Sequence, residues 1–180
     1  MSDGPLVEKG LPPPLTQVAW SADIVSQSLE IIPILRDQQG LAWLKPVHAD
    51  SLRVGTSPAR APAATVLKAL SRYEIMPIVV HSTSWRTEAD RMILTYAAII
   101  DAYAAAPDGP LSVVRVGRTD LARGDATAAP PVIAVDQVIE HALRHLSWLS
   151  SDDPAIAEAL RDWKTLLATY VPEPFRAFQT

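Results

Sequence analysis

Two apolar runs, SLEIIPILR and LAWLKPV, flank the tetrapeptide DQQG near the start of the patterned chain. Ile- and Leu-rich runs on either side of a Gly-ending turn predict a β-hairpin. Pro33 has no N–H to give to a ladder, so the pattern places it at a bulge or on an edge. Pro46 is expected to end the second strand. HADSLRVGTSPARA then reads as an irregular loop, too polar and too broken by proline for a regular element. Past it the period changes. Val66, Leu67, Leu70 and Tyr73 fall at i, i+1, i+4 and i+7, one face of a helix. Pro62 suits its first turn and Met76-Pro77 its stop. PIVVHSTSW returns to period two, with Ile78, Val80, Ser82 and Ser84 on one face and Val79, His81, Thr83 and Trp85 on the other. RTEAD turns the chain, and RMILTYAAII returns as a strongly apolar central strand.

DAYAAAPDGP reads as a loop, LSVVRVG as a short strand, and RTDLARGDATAAPP as a long loop. Val138, Ile139, Ala142, Leu143, Leu146 and Leu149 then form a helical stripe, with Asp136 near its N-terminus where the helix dipole favours an anion. SSDDP is a restart signal: Asp153 as cap, Pro154 at the first helical position. Ile156, Ala159, Leu160, Trp163, Leu167 and Tyr170 make a second stripe, ended by Pro172 and Pro174, and the tail with Phe175 and Phe178 is expected to pack back on the core. Residues 1–15, with three consecutive prolines, read as a flexible lead-in. Gln17 to Gln27 fits a strand or a capped helical turn equally well. The pattern predicts one α/β (α+β) domain over residues 16–180. Its sheet is mixed and mostly antiparallel, with one helix after the first hairpin and two C-terminal helices.

Composition narrows the function. The chain has 180 residues, 48% apolar and 20% charged, which suits one buried core. A net charge of −4 with scattered basic residues argues against nucleic acid as partner. The absence of cysteine removes disulfides, thiolate metal sites and a thiol nucleophile. No run is long and apolar enough for a signal peptide or membrane span, so a cytoplasmic protein is expected. Abundant Ala, Pro and Arg suggest a bacterial source.

The hairpin ILRDQQGLAWLKP, the stretch GTSPARAPAATVLKALSRYEI and the strand pair ending in LTYAAII together resemble a Nudix domain. In that family a strand pair and loop lead into a signature helix carrying an Arg-Glu-x-x-Glu-Glu core. Here Gly55-Thr56-Ser57-Pro58 stands in the loop and Val66 to Tyr73 in the helix. The resemblance implies Mg²⁺-assisted chemistry on a diphosphate, which needs several carboxylates on one helix face. Between Glu30 and Glu74 there is no glutamate, and the helix offers Thr65, Lys68, Ala69 and Ser71 instead. The likeness is therefore to a degenerate member without the acidic signature, and no family residue carries over as catalytic, nor is a metal or cofactor expected.

Candidate chemistry clusters elsewhere. His81 to Arg86 is the most polar functional run. His81 as general base with Ser82 or Ser84 as nucleophile would make a small hydrolase, but neighbours in a strand point to opposite faces and no Gly-flanked nucleophile turn is present. His81, Thr83 and Trp85, with Arg86, are better read as lining a ligand pocket on the sheet. Trp43, Lys45 and His48 at the end of the first hairpin can stack a ring and hold an anion, and Arg53 and Arg60 add positive charge. Against this stand core packing for Trp43 and a solvated loop for the rest. His141 and His145 have the i, i+4 spacing of two metal ligands, without the glutamate of a zincin and without a third ligand, so a half-buried pair at a helix edge is preferred. Arg123-Gly124-Asp125 matches an integrin-binding string by chance. The leading reading is a non-catalytic domain binding a small anionic or nucleotide-like ligand between the sheet and the helix. The alternatives are an interaction protein, such as a homodimer using the C-terminal helices, and the hydrolase.

Overall fold

The computed structural model describes residues 26–56, 61–88, 91–101, 103, 109–120 and 132–171. The lead-in, most of Gln17–Gln27, Arg60, the Arg123-Gly124-Asp125 string and the Phe175–Phe178 tail lie outside the described residues. The runs around DQQG pair as expected. β1 (Ser26–Asp37) and β2 (Gly40–Pro46) form an antiparallel hairpin with Ile34 opposite Trp43 and Asp37 opposite Gly40. Gly40 has φ +115°, and a Cβ added there meets nothing within 4 Å. Substitution at this turn therefore costs backbone strain alone. Gly40→Ala is expected to destabilise by about 1–2 kcal/mol, read as a lower denaturant midpoint, and an unchanged midpoint would show that the turn relaxes freely.

Two expectations about this region need correction. LRVG is not loop: β3 (Leu52–Gly55) pairs antiparallel with β1, Glu30 opposite Arg53. Its short length and two charged or polar neighbours hid a strand that tertiary pairing stabilises. Pro33 is not on an edge strand or at a bulge either. β1 runs parallel to the later strand β5 (Arg91–Ile100) along its length, and on its other side meets β3 through Ile31 and β2 from Ile34. Pro33 falls in the gap between those two partners, where its missing N–H costs no antiparallel bond.

The helix α1 (Pro62–Ser71) starts at Pro62 as expected and buries Val66, Ala69 and Leu70. Leu67 is 47% exposed, so the stripe is narrower than the spacing suggested. The helix also ends before Met76-Pro77. Glu74 takes φ 58°, and the Ile75 N–H reaches back to the Leu70 carbonyl at 3.2 Å, a left-handed cap that stops the helix first. β4 (Val79–Glu88) is antiparallel to β5, and β6 (Leu111–Arg115) pairs with β2. The six strands make one mixed sheet in the order β4-β5-β1-β2-β6, with β3 also on β1.

α2 (Val135–Asp152) buries its whole expected stripe, from Val138 to Leu149, on one face of the sheet. Asp153 caps α3 (Pro154–Ala159), accepting the N–H groups of Ala155 at 2.8 Å and Ile156 at 3.3 Å. The second C-terminal helix is not continuous: Leu160 leaves helical geometry, a 3-10 turn spans Arg161–Trp163, and α4 is Lys164–Leu167. α3 has no fully buried residue and is held by its cap and by Ile156, half-buried against the core, and the chain bends after it to seat Leu160, Trp163 and Leu167 in the core. The sheet is thus sandwiched, α1 over one face with Leu29, Ile31 and Ile100, and α2–α4 over the other with Ile32, Ile34 and Ile99. Among the described residues no helix is long and apolar enough to cross a membrane.

Candidate functional site

β3 and the C-terminal end of α1 flank an open cavity of about 490 Å³, within the size range of small-molecule sites. Pairing with β1 holds β3 in place, and the buried face of α1 turns the helix so that Ala69, Arg72 and Tyr73 close one side. Leu52, Val54 and Ala69 supply apolar wall, and Asp50, Arg72 and Tyr73 supply charge and ring; Ser51 and Arg53 also border the cavity, but their polar groups turn to Glu30 on the other face of the sheet. The two guanidiniums differ. Arg53 spends its donors inside the protein: Nε on Ser51 at 3.3 Å, Nη1 on Glu88 at 2.6 Å, Nη2 on Glu30 at 3.3 Å and Glu88 at 3.0 Å. Arg72 is exposed and makes no ion pair among the described residues.

Arg53 belongs to a network centred on Glu30, whose side chain is 3% exposed on the central strand. Arg86 grips that carboxylate with Nη1 at 2.6 Å and Nη2 at 2.9 Å, while Ser51 and Thr95 donate hydroxyls at 2.8 and 3.1 Å. Burial pushes the Glu30 carboxyl up, and the hydrogen bonds from Arg86 and Ser51 outweigh it and hold the group below the usual range. A bidentate, fully hydrogen-bonded pair is the arrangement in which a buried charge is tolerated.

On the α2 face of the sheet, His81 on β4 meets His145 on α2, Nε2 to Nε2 at 3.1 Å. His141, one turn earlier, has Nε2 3.3 Å from the Thr83 carbonyl, and the Trp148 ring lies 5.6 Å from that of His145. Burial lowers the affinity of His81 for a proton against the opposing charge of Asp153. It lowers that of His145 too, reinforced by His81 and His141. With Nε2 directed at His145, His81 is not set up as base for Ser82 or Ser84.

The expected alternation along β4 breaks in the middle. The ladder shifts between Ser82 and Ser84, so Thr83 is an extra, bulged residue. His81 lies opposite Ala97, but beyond the bulge Ser84 lies opposite Thr95, Trp85 opposite Leu94 and Arg86 opposite Ile93. One inserted residue exchanges the faces. Trp85 therefore does not share the His81 face. It stands on the α1 side, 67% exposed, and Arg86 takes the α2 side to reach Glu30.

The sequence-named residues accordingly separate. Arg53 borders the cavity, but its guanidinium is bound to Glu30 and Glu88, and Lys45 lies 3.7 Å from Asp50, a lining residue. His48 is exposed in the turn after β2. Trp43 is 1% exposed in the core, its Nε1 without a partner among the described residues. His81, Thr83 and Arg86 belong to the opposite side of the sheet from the α1 layer, in two adjoining clusters. Sequence reasoning missed Glu30, Ser51, Arg72 and Tyr73 as parts of a site, and His145 as the partner of His81. Only Glu30 had a signal, a lone acid inside an apolar strand, which must find a partner to be buried.

A Nudix helix would be expected to hold Mg²⁺. α1, PAATVLKALS, contains no carboxylate, and the cavity's Asp50 side chain is 97% exposed beside Lys45. Among the described residues no group of three or more His, Asp or Glu is placed to hold a metal ion. These residues do not fit a hard divalent cation bridging a diphosphate.

No family model and no curated protein matches the sequence. Among solved structures the chain is similar to the crystal structure of Shewanella oneidensis NrtR, with TM-score 0.53 and 13% identity over 82% of this chain and 78% of that one. A MutT/nudix family protein from Enterococcus faecalis also matches, at TM-score 0.47 and 12% identity over 75% of this chain and 67% of that one. The fold is Nudix-like, as the order of elements implied, and the likeness concerns architecture alone.

Proposed function

We propose that this chain is a non-catalytic, degenerate Nudix-like domain that binds a small anionic or nucleotide-like ligand in the cavity between β3 and α1, in a binding or regulatory role. The observation that carries this reading is the cavity's lining. A cation with no ion pair among the described residues, Arg72, and a ring, Tyr73, stand beside apolar walls, just past the end of a helix that contains no carboxylate. Such a site can hold an anion by charge and a ring by stacking, and it lacks the donors to activate water on a metal. The interaction-protein reading has less support, because the apolar stripe of α2 and the large residues Leu160, Trp163, Leu167 and Tyr170 are consumed by the chain's own core. The hydrolase reading lacks a serine engaged by His81.

A thermal-shift screen of nucleotides, sugar nucleotides and small carboxylates, with and without Mg²⁺, tests the proposal. A ligand at about 100 times its dissociation constant stabilises by roughly 2.7 kcal/mol. The shift is expected to be independent of Mg²⁺ and to shrink in Arg72→Gln. Mg²⁺-dependent hydrolysis of any nucleoside diphosphate derivative would overturn it.

A further inference from the structure

We propose that His81 and His145 form a proton-sensitive latch between β4 and the C-terminal half of α2. Their Nε2 atoms are 3.1 Å apart while their ring centroids are 5.1 Å apart, so the rings meet nearly end to end. That geometry is an N–H···N hydrogen bond, one Nε2 donating and the other accepting. It survives with no added proton, or with one, when an imidazolium donates to a neutral imidazole. A second proton leaves two cations facing each other with no acceptor between them. The pair therefore titrates as a unit, and the latch fails at its second step.

The surroundings do not supply a way out. Asp153, at the junction of α2 and α3, is the acid that acts on His81, and its carboxylate is already committed to capping α3. On α2, His141 faces the same cluster, and Glu140 is held by Arg118 at 3.1 Å and Arg144 at 2.8 Å. On β4, beyond the bulge, Arg86 and Glu88 are tied to each other and to Glu30 and Arg53. β5 presents Ala97 opposite His81. Both histidines have folded-state affinities for protons below the ordinary value of 6.5. The unfolded chain then binds protons the native state refuses, so the contribution is whole above about pH 6.5 and is lost as pH falls below it. The segment loosened is the part of α2 around Leu146 and Leu149, whose side chains seal the core beneath.

The test is amide exchange across α2 with histidine NMR titration, between pH 7.5 and 5. After correction for intrinsic rates, amides from His145 to Leu149 are expected to exchange at least tenfold faster at pH 5 in the wild type. His145→Gln, which keeps a partner for His81 but cannot charge, is expected to remove most of that acceleration, while His48→Gln on the exposed turn leaves it intact. Where His145→Gln fails to fold, the wild-type titration decides: two coupled steps, the second well below 6.5, support the latch. Independent titration of both rings near 6.5, or an acceleration that persists in His145→Gln, overturns it.

Discussion

Glu30→Ala is expected to lose about 3–5 kcal/mol of folding stability, the cost of leaving a buried ion pair with one partner missing. At two to four degrees per kcal/mol for a chain of this size, the melting point should fall by roughly 6 to 20 °C. The reason is local and specific. Arg86 is 12% exposed on its side chain, and without Glu30 its remaining acid is Glu88, itself 43% exposed and shared with Arg53. Ser51 and Thr95 lose their acceptor at the same time. The Glu30→Met/Arg86→Met double variant removes both charges and is expected to be more stable than Glu30→Ala, because no orphaned guanidinium remains. Equal losses in single and double variants would show that packing, not charge pairing, dominates at this position.

The second large effect is expected at Trp163, where Trp163→Ala should cost about 3–5 kcal/mol. The residue is 1% exposed, and it joins the 3-10 turn to the same core cluster as α2 and the sheet. Its Nε1 has no hydrogen-bond partner among the described residues, so the indole serves by shape and apolar area. Trp163→Phe keeps most of that volume and should cost about 1 kcal/mol. Urea unfolding followed by circular dichroism separates the two. A Phe variant as unstable as the Ala variant would reveal an indole hydrogen bond that the described structure does not contain.

Much of the architecture was legible because local pattern and tertiary demand agreed. The stripe of α2 was readable in full, since each of its six positions is buried on one face. Pro62 and Asp153 announced helix starts through backbone chemistry that needs no partner. The candidate site was legible only in fragments. Arg53 and Arg86 drew attention as positive charges, but nothing in their spacing showed that both would converge on Glu30, 23 and 56 residues away. Arg72 and Tyr73 were hidden at a helix end, where a cation and a ring look like ordinary surface.

What the sequence by itself determined was most of the elements (β3 and the break at Leu160 excepted), the two apolar faces, and the absence of acids from the helix where a Nudix signature would stand. Those follow from side-chain type and period, which act over a few residues. What only the tertiary structure decided was which faces met. The bulge at Thr83 sent Trp85 and Arg86 to sides opposite those that strict alternation assigns, because the buried carboxylate of Glu30 gives Arg86 a partner on the α2 side. β3 became a strand because β1 offered it a ladder, and His81 became half of a pair because α2 lays His145 against it. Each outcome depends on a partner distant in sequence, and period along the chain carries no record of that partner.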